Sequence, residues 1–220
     1  MERKEFYRQD LPHFQQPGQA YFVTWSLKDA IPPKALLFYT KKMEMLKSQI
    51  CGLESAGMSP SEIAKLKIEY YDIRRKYLKA YNDLLDAERN PSVNLSKPEN
   101  TEVIIGSLKF WEGKKLNNCA FTVMCNHVHW VFETFEKDNE GNPVYLQDLL
   151  QSVKGFSAYQ INKLENSKGS LWQKESFDTT IRNDKHLYNA IKYTLNNPVH
   201  AGLVADWKLW PGTWCMYDDF

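Results

Sequence analysis

Two histidines stand one residue apart in MCNHVHW, residues 124–130, inside the apolar run FTVMCNHVHWVF. The chain holds only 5 histidines, so a pair at i and i+2 within a hydrophobic stretch has either a chemical or a packing reason. Successive side chains on a strand point to opposite faces. On a strand, then, His127 and His129 emerge side by side, with Asn126, Val128 and Trp130 on the other face. Two neighbouring imidazoles form a bidentate cation site; the competing reading is a hydrogen-bonded core pair, since histidine is intermediate in burial preference. In IKYTLNNPVHAGLV, Tyr193 and Asn197 are four residues apart, one turn along the same face of a helix. An amide oxygen there can complete a metal's ligand set with the phenol beside it. For Tyr193, one of 12 tyrosines, core packing is the competing reading.

The elements that position these groups follow from periodicity. AYFVTWSL, residues 20–27, alternates with both phases partly apolar, as a central strand does. From residue 34 to about 88 the spacing becomes helical, broken at Gly52 and at GMSPSE, residues 57–62. There Ser59 reads as an N-cap, Pro60 as the first helical residue and Glu62 as the return partner of a capping box. A helical hairpin is expected, its second helix carrying Ile63, Leu66, Tyr70, Ile73, Tyr77, Tyr81 and Leu84 as a packing stripe. NPSVNLSKPEN is a connector, and TEVIIGSLKFWEG a helix capped by Thr101. NCAFTVMCNHVHWVFETF reads as one long strand and EKDNEGNP as a turn. Residues 146–169 form an amphipathic helix with Gly169 past its end. SFDTTIRN is a short extended segment before a helix from Asp184 to Asn197, stopped by Pro198. Strands and helices in this order fit an α+β layered fold, helices packed on an antiparallel sheet.

Hydrophobic residues make up 43% of the 220 and charged residues 25%, ordinary for one globular domain with or without an insertion. No run of about 18 apolar residues occurs and the N-terminus is charged rather than signal-like, which places the chain in the cytoplasm with no membrane partner. Cys51, Cys119, Cys125 and Cys215 show no CxxC spacing, so neither a zinc knuckle nor a disulfide framework is indicated. A net charge of +1 leaves the sign of any binding face open.

Taken together, MCNHVH and YTLNNPVHAGLV, with KGFSAYQINKL, LWQKESFDTTIRND and DWKLWPGTW, resemble the single-tyrosine HUH transposases of bacterial insertion sequences, in particular the REP-associated tyrosine transposase branch. The resemblance covers residues 20–28 and 101–214 and leaves 34–90 as an inserted helical hairpin within a single domain, 1–220. It implies an RRM-like or ferredoxin-like sheet with the histidines on a central strand. It further implies that His127 and His129 bind a metal, that Asn197 supplies the third protein ligand and that Tyr193 is the nucleophile. Where the family has a proline before the asparagine, this chain has Cys125; every chemical group is present.

The resemblance implies a metal-dependent single-stranded DNA endonuclease and strand transferase. Mg2+ or Mn2+ are the expected ions, since two imidazoles and an oxygen leave positions open for phosphate oxygens. The resemblance implies attack by Tyr193 on single-stranded DNA beside a hairpin, giving a 5′-phosphotyrosine link and a free 3′-hydroxyl. It also implies a bacterial, nucleoid-associated protein, as a homodimer or a monomer. Lys154, Lys163, Lys168, Lys174, Arg182, Lys185 and Lys192 are candidate phosphate contacts. Trp172, Trp207, Trp210 and Trp214 either stack on bases or pack the core. Two rival readings stay open: a metal phosphodiesterase that uses water, with Tyr193 as packing, and a catalytically idle DNA-binding module whose hairpin mediates assembly.

Overall fold

The computed structural model describes residues 6–8, 12–32, 34–57, 59–87 and 91–220. The chain divides into two compact units, residues 30–89 and the remainder.

In the larger unit a short strand pair, β1 (Phe6–Arg8) and β2 (Pro12–Phe14), precedes the first long strand, β3 (Ala20–Ser26). Residues 30–89 contain two helices, α1 (Leu37–Ser55) and α2 (Pro60–Asp86). The larger unit resumes with α3 (Pro98–Lys109), β4 (Leu116–Val123), β5 (His127–Thr134), α4 (Leu146–Leu164), β6 (Phe177–Thr180), α5 (Asp184–His200) and β7 (Thr213–Cys215). Five strands make one sheet in the order β6-β3-β5-β4-β7, every neighbouring pair antiparallel. This is an α+β fold with helices packed on an antiparallel sheet, and β5 lies at its centre.

Alternation divides the sheet into two faces. Tyr21, Val23 and Trp25 of β3 and Val128, Trp130 and Phe132 of β5 are buried on one of them. There Trp25 meets Trp130 and Trp172 edge-on, and the Trp172 indole N–H donates to the Lys154 carbonyl of α4 at 3.0 Å. On the other face Ala190, Ile191 and Leu195 of α5 pack against Ala120, Val131 and Phe22. Helix α5 therefore lies over the histidine face.

Several local expectations change. The single strand expected over NCAFTVMCNHVHWVFETF is a hairpin, β4 and β5 joined at Met124, Cys125 and Asn126 and closed by the Met124 N–H donating to the His127 carbonyl at 2.9 Å. Helix α3 starts at Pro98 with Lys97 as its N-cap; Thr101 lies inside the first turn, and its hydroxyl donates to the Leu95 carbonyl. Pro198 does not stop α5, which runs on to His200. Proline removes one helical bond and crowds the carbonyl four residues back, yet the helix continues past it and the Ala201 N–H still reaches the Asn197 carbonyl. Helix α4 ends at Leu164, before a left-handed Asn166, rather than near Gly169.

In the smaller unit α1 and α2 form the expected hairpin, joined by the Lys42–Glu69 and Lys67–Glu54 ion pairs and the Tyr39–Tyr77 ring contact. Gly52 lies within α1 rather than breaking it; a helical glycine costs only about 1 kcal/mol. Ser59 is the N-cap and Pro60 the first helical residue of α2, but no capping box closes, and the Ser59 hydroxyl contacts that of Ser61 instead. The far end of the expected insertion, residues 88–90, lies outside the described residues.

Candidate active site

β5 presents His127 and His129 on the face beneath α5. Across the strands His129 pairs with Thr24 of β3 and Thr122 of β4, and His127 pairs with Ser26. Both histidines are 1% exposed. Their Nε2 atoms are 3.1 Å apart. The outer nitrogens are both engaged: His127 Nδ1 meets Asn126 Oδ1 at 2.7 Å, and His129 Nδ1 meets the Thr24 hydroxyl at 2.7 Å. An amide oxygen only accepts, so His127 carries its proton on Nδ1 and turns a bare Nε2 inward.

Asn126 departs from the expected alternation. It belongs to the three-residue loop rather than to the strand, and its amide reaches the ring of the histidine that follows it.

Helix α5 supplies the other two groups. The Asn183 side chain caps it by accepting from the His186 N–H at 2.9 Å, and Ile191 and Leu195 seat it on the sheet. Tyr193, half-buried, stands edge-on to His129 with ring centroids 5.2 Å apart, and edge-on to Phe22 at 5.8 Å. Asn197 is 1% exposed, and its side chain lies in hydrogen-bonding range of His127. Its Oδ1 has no hydrogen-bond partner. All four residues singled out by spacing thus meet at one place, although the two pairs lie more than 60 positions apart in the chain.

Electrostatics at the site follow from burial. Burial pushes His127 down to about 4, only partly offset by the Asn197 side chain. Burial, then the neighbouring His127, holds His129 well below the usual histidine range. Two neutral imidazoles with facing nitrogens are poor proton binders and good cation binders.

Two imidazole nitrogens and an amide oxygen form a donor set that a divalent cation would fit. An orphaned buried amide oxygen costs about 1–3 kcal/mol, and a cation between it and the two Nε2 atoms would satisfy it. Neutral nitrogen and oxygen donors leave the ion's charge uncompensated and coordination positions open to phosphate. Among the described residues, no group of three or more His, Cys, Asp or Glu forms a metal cage.

The expected phosphate and base contacts sort differently. The Lys154 ammonium donates to the Gln173 and Lys174 carbonyls at 3.0 and 3.3 Å, and burial pushes it down to about 8. Trp172 is buried, Trp210 donates to the Val123 carbonyl at 2.9 Å, and Trp214 stacks on Phe121 at 5.4 Å. Trp207 packs against the α5 cluster. The tryptophans of DWKLWPGTW anchor β7 beside β4, whereas Lys163, Lys168, Lys174, Arg182, Lys185 and Lys192 are exposed. Two hydrogen-bonding partners of the histidines were not anticipated, Thr24 and Asn126. The visible signal for Thr24 is a polar phase, Thr24 and Ser26, inside an otherwise apolar central strand.

Comparison with known proteins finds similarity to tyrosine transposases. One curated relative from Haemophilus influenzae, 29% identical over 96 residues, bears a name that places it among the REP-associated tyrosine transposases. The match takes in 42% of this chain, which spans about half the length of that relative, 54%. Among solved structures, a REP-associated tyrosine transposase bound to a REP hairpin is 17% identical with a TM-score of 0.45, the alignment covering 97% of this chain and 82% of that one. No family model matches. The curated relative bears out the resemblance carried by the motifs. Among the described residues no helix is long and apolar enough to cross a membrane.

Proposed function

We propose that this chain nicks and rejoins single-stranded DNA at hairpin-flanked sites, with Tyr193 as nucleophile and His127, His129 and Asn197 as metal ligands. The observation that carries the reading is the convergence of two Nε2 atoms 3.1 Å apart and an orphaned Asn197 Oδ1 beside a half-buried phenol. The named relative and the motif resemblance supply the reaction class.

A bound divalent ion would neutralise charge on the scissile phosphate and polarise it towards attack. The chain's own residues do the rest. A phenol with an ordinary pKa near 10 is a weak nucleophile at neutral pH, so its position must supply much of the advantage. Tyr193 is held edge-on to His129 by α5, which fixes its distance from the phosphate that the histidine side of the site would receive. Its oxygen forms a bond to phosphorus while the bond from phosphorus to the 3′-oxygen breaks. The phenol gives up its proton, and the departing oxygen takes one up to become a free 3′-hydroxyl. The phosphodiester is retained as a 5′-phosphotyrosine, so rejoining needs no ATP. The histidines stay neutral throughout and serve as ligands rather than as acid or base.

The test is strand cleavage of an end-labelled oligonucleotide carrying a hairpin with single-stranded flanks, in Mn2+ and in chelator. The reading requires cleavage with the ion and none without it. Cleavage yielding a hydrolysed 5′-phosphate with no protein adduct would favour the water-using phosphodiesterase instead.

A further inference from the structure

We propose that Asn126 and Thr24 are positioning residues: Asn126 fixes the proton of His127 on Nδ1, and Thr24 holds the His129 ring in either tautomer, so that both Nε2 lone pairs can face one cation. The inference rests on the reading of His127 and His129 as metal ligands and adds the residues that prepare them.

Asn126 is held by its backbone. Its carbonyl accepts from the Leu27 N–H at 2.9 Å, and the preceding Cys125 carbonyl accepts from the Leu95 N–H at 2.9 Å. The loop therefore has little freedom, and the buried amide is aimed at His127 Nδ1. Thr24 is 4% exposed and stands in register opposite His129. The threonine on the other flank, Thr122, is occupied with Thr213 at 2.6 Å, so Thr24 is the hydroxyl that reaches the ring.

The two partners differ in chemistry. Asn126 Oδ1 can only accept, so it allows His127 one tautomer. A hydroxyl can donate or accept. With His127 Nε2 bare, a 3.1 Å contact between the two Nε2 atoms needs a proton on His129 Nε2, and Thr24 then donates to Nδ1. When a cation takes that position the proton leaves Nε2, one arrives at Nδ1 through solvent, and the Thr24 hydroxyl turns to accept it. The ring stays neutral and no heavy atom has to move. Threonine thus serves both states of His129, and a methyl group serves neither.

The experiment uses the full chain. Manganese affinity is measured by calorimetry, and the histidine side-chain nitrogens are followed by 15N NMR with and without Mg2+. Thr24→Val should weaken manganese binding by about 10–100-fold, the range seen when a ligand's outer partner is lost, and Thr24→Ser should restore it. In wild type, His129 should change its protonated nitrogen from Nε2 to Nδ1 on adding Mg2+. Asn126→Ala should weaken binding likewise and show both tautomers of His127. Folded Thr24→Val with wild-type affinity would overturn the proposal. Should that variant not fold, Thr24→Ser and Asn126→Ala decide: weakened binding in the serine variant, or an unmixed His127 in the alanine variant, would overturn it. Wild type that binds no manganese at all would instead sink the metal reading beneath it.

Discussion

An imidazole shut away from water pays for every proton it accepts, and both candidate ligands are in that position. The consequence for stability has a definite sign. In the unfolded chain His127 titrates near 6.5, whereas folded it titrates at about 4. Between those values the unfolded chain binds a proton that the folded one refuses, so stability is intact above about pH 6.5 and falls as the pH drops towards 4. The loss is on the order of 3 kcal/mol. Urea midpoints of chelator-treated protein at pH 7.5, 6 and 5 check it, and His127→Gln should flatten the slope; an unchanged slope in that variant would assign the acid sensitivity elsewhere. His127→Ala should abolish measurable manganese binding and strand cleavage while leaving the far-ultraviolet circular dichroism unchanged, since it would remove one of the three proposed protein ligands. At this scale the sequence brought forward the four candidates and was silent about the residues around the histidines. His127 with His129 and Tyr193 with Asn197 stand out because spacing puts each pair on one face of its element, and the motif resemblance supplied their proposed roles. Thr24 does not stand out, because its partner is 105 positions away and nothing local specifies strand register.

Element boundaries were less legible where composition hid the backbone's choices. The β4–β5 turn has Met124 and Cys125 in its loop, so the apolar run continues through it, and only Asn126 belongs to the usual turn formers. Pro198 misled in the opposite direction, since a strong breaker near a helix end need not break it. β7 was missed because WPGTW reads as a loop, yet its role is to close the sheet beside the histidine hairpin. Gly212 makes that closure possible. A Cβ at this position would lie 2.6 Å from the Val123 carbonyl, which also accepts from Trp210, while the Gly212 carbonyl accepts from the Val123 N–H at 2.9 Å. Gly212→Ala should therefore destabilise the protein by about 1–3 kcal/mol, the usual cost of overpacking, visible as a lower urea midpoint. An unchanged midpoint would mean that β7 can shift away without cost.

For the whole molecule, the α+β class and the helical hairpin were legible, because long periodic segments carry those signals; the central position of the histidine strand came with the motif resemblance. The Ser92 N–H donates to the Asp29 carboxylate at 3.0 Å, so the chain ends that flank residues 30–89 already meet. Replacing residues 30–90 by a short Gly/Ser linker should leave a folded protein that binds manganese as wild type does, measured by calorimetry. A folded deletion that has lost the metal site would show that the hairpin shapes the active centre. The central claim is a covalent one, and it is tested most directly on a denaturing gel with wild type and Tyr193→Phe, in manganese buffer, using a hairpin oligonucleotide labelled at either end. Wild type should carry the 3′-end label as a slowed protein band, because the tyrosine keeps the 5′-phosphate, and Tyr193→Phe should carry none while still binding manganese and DNA. A labelled band that persists in Tyr193→Phe, or one that carries the 5′-end label in wild type, would contradict the account.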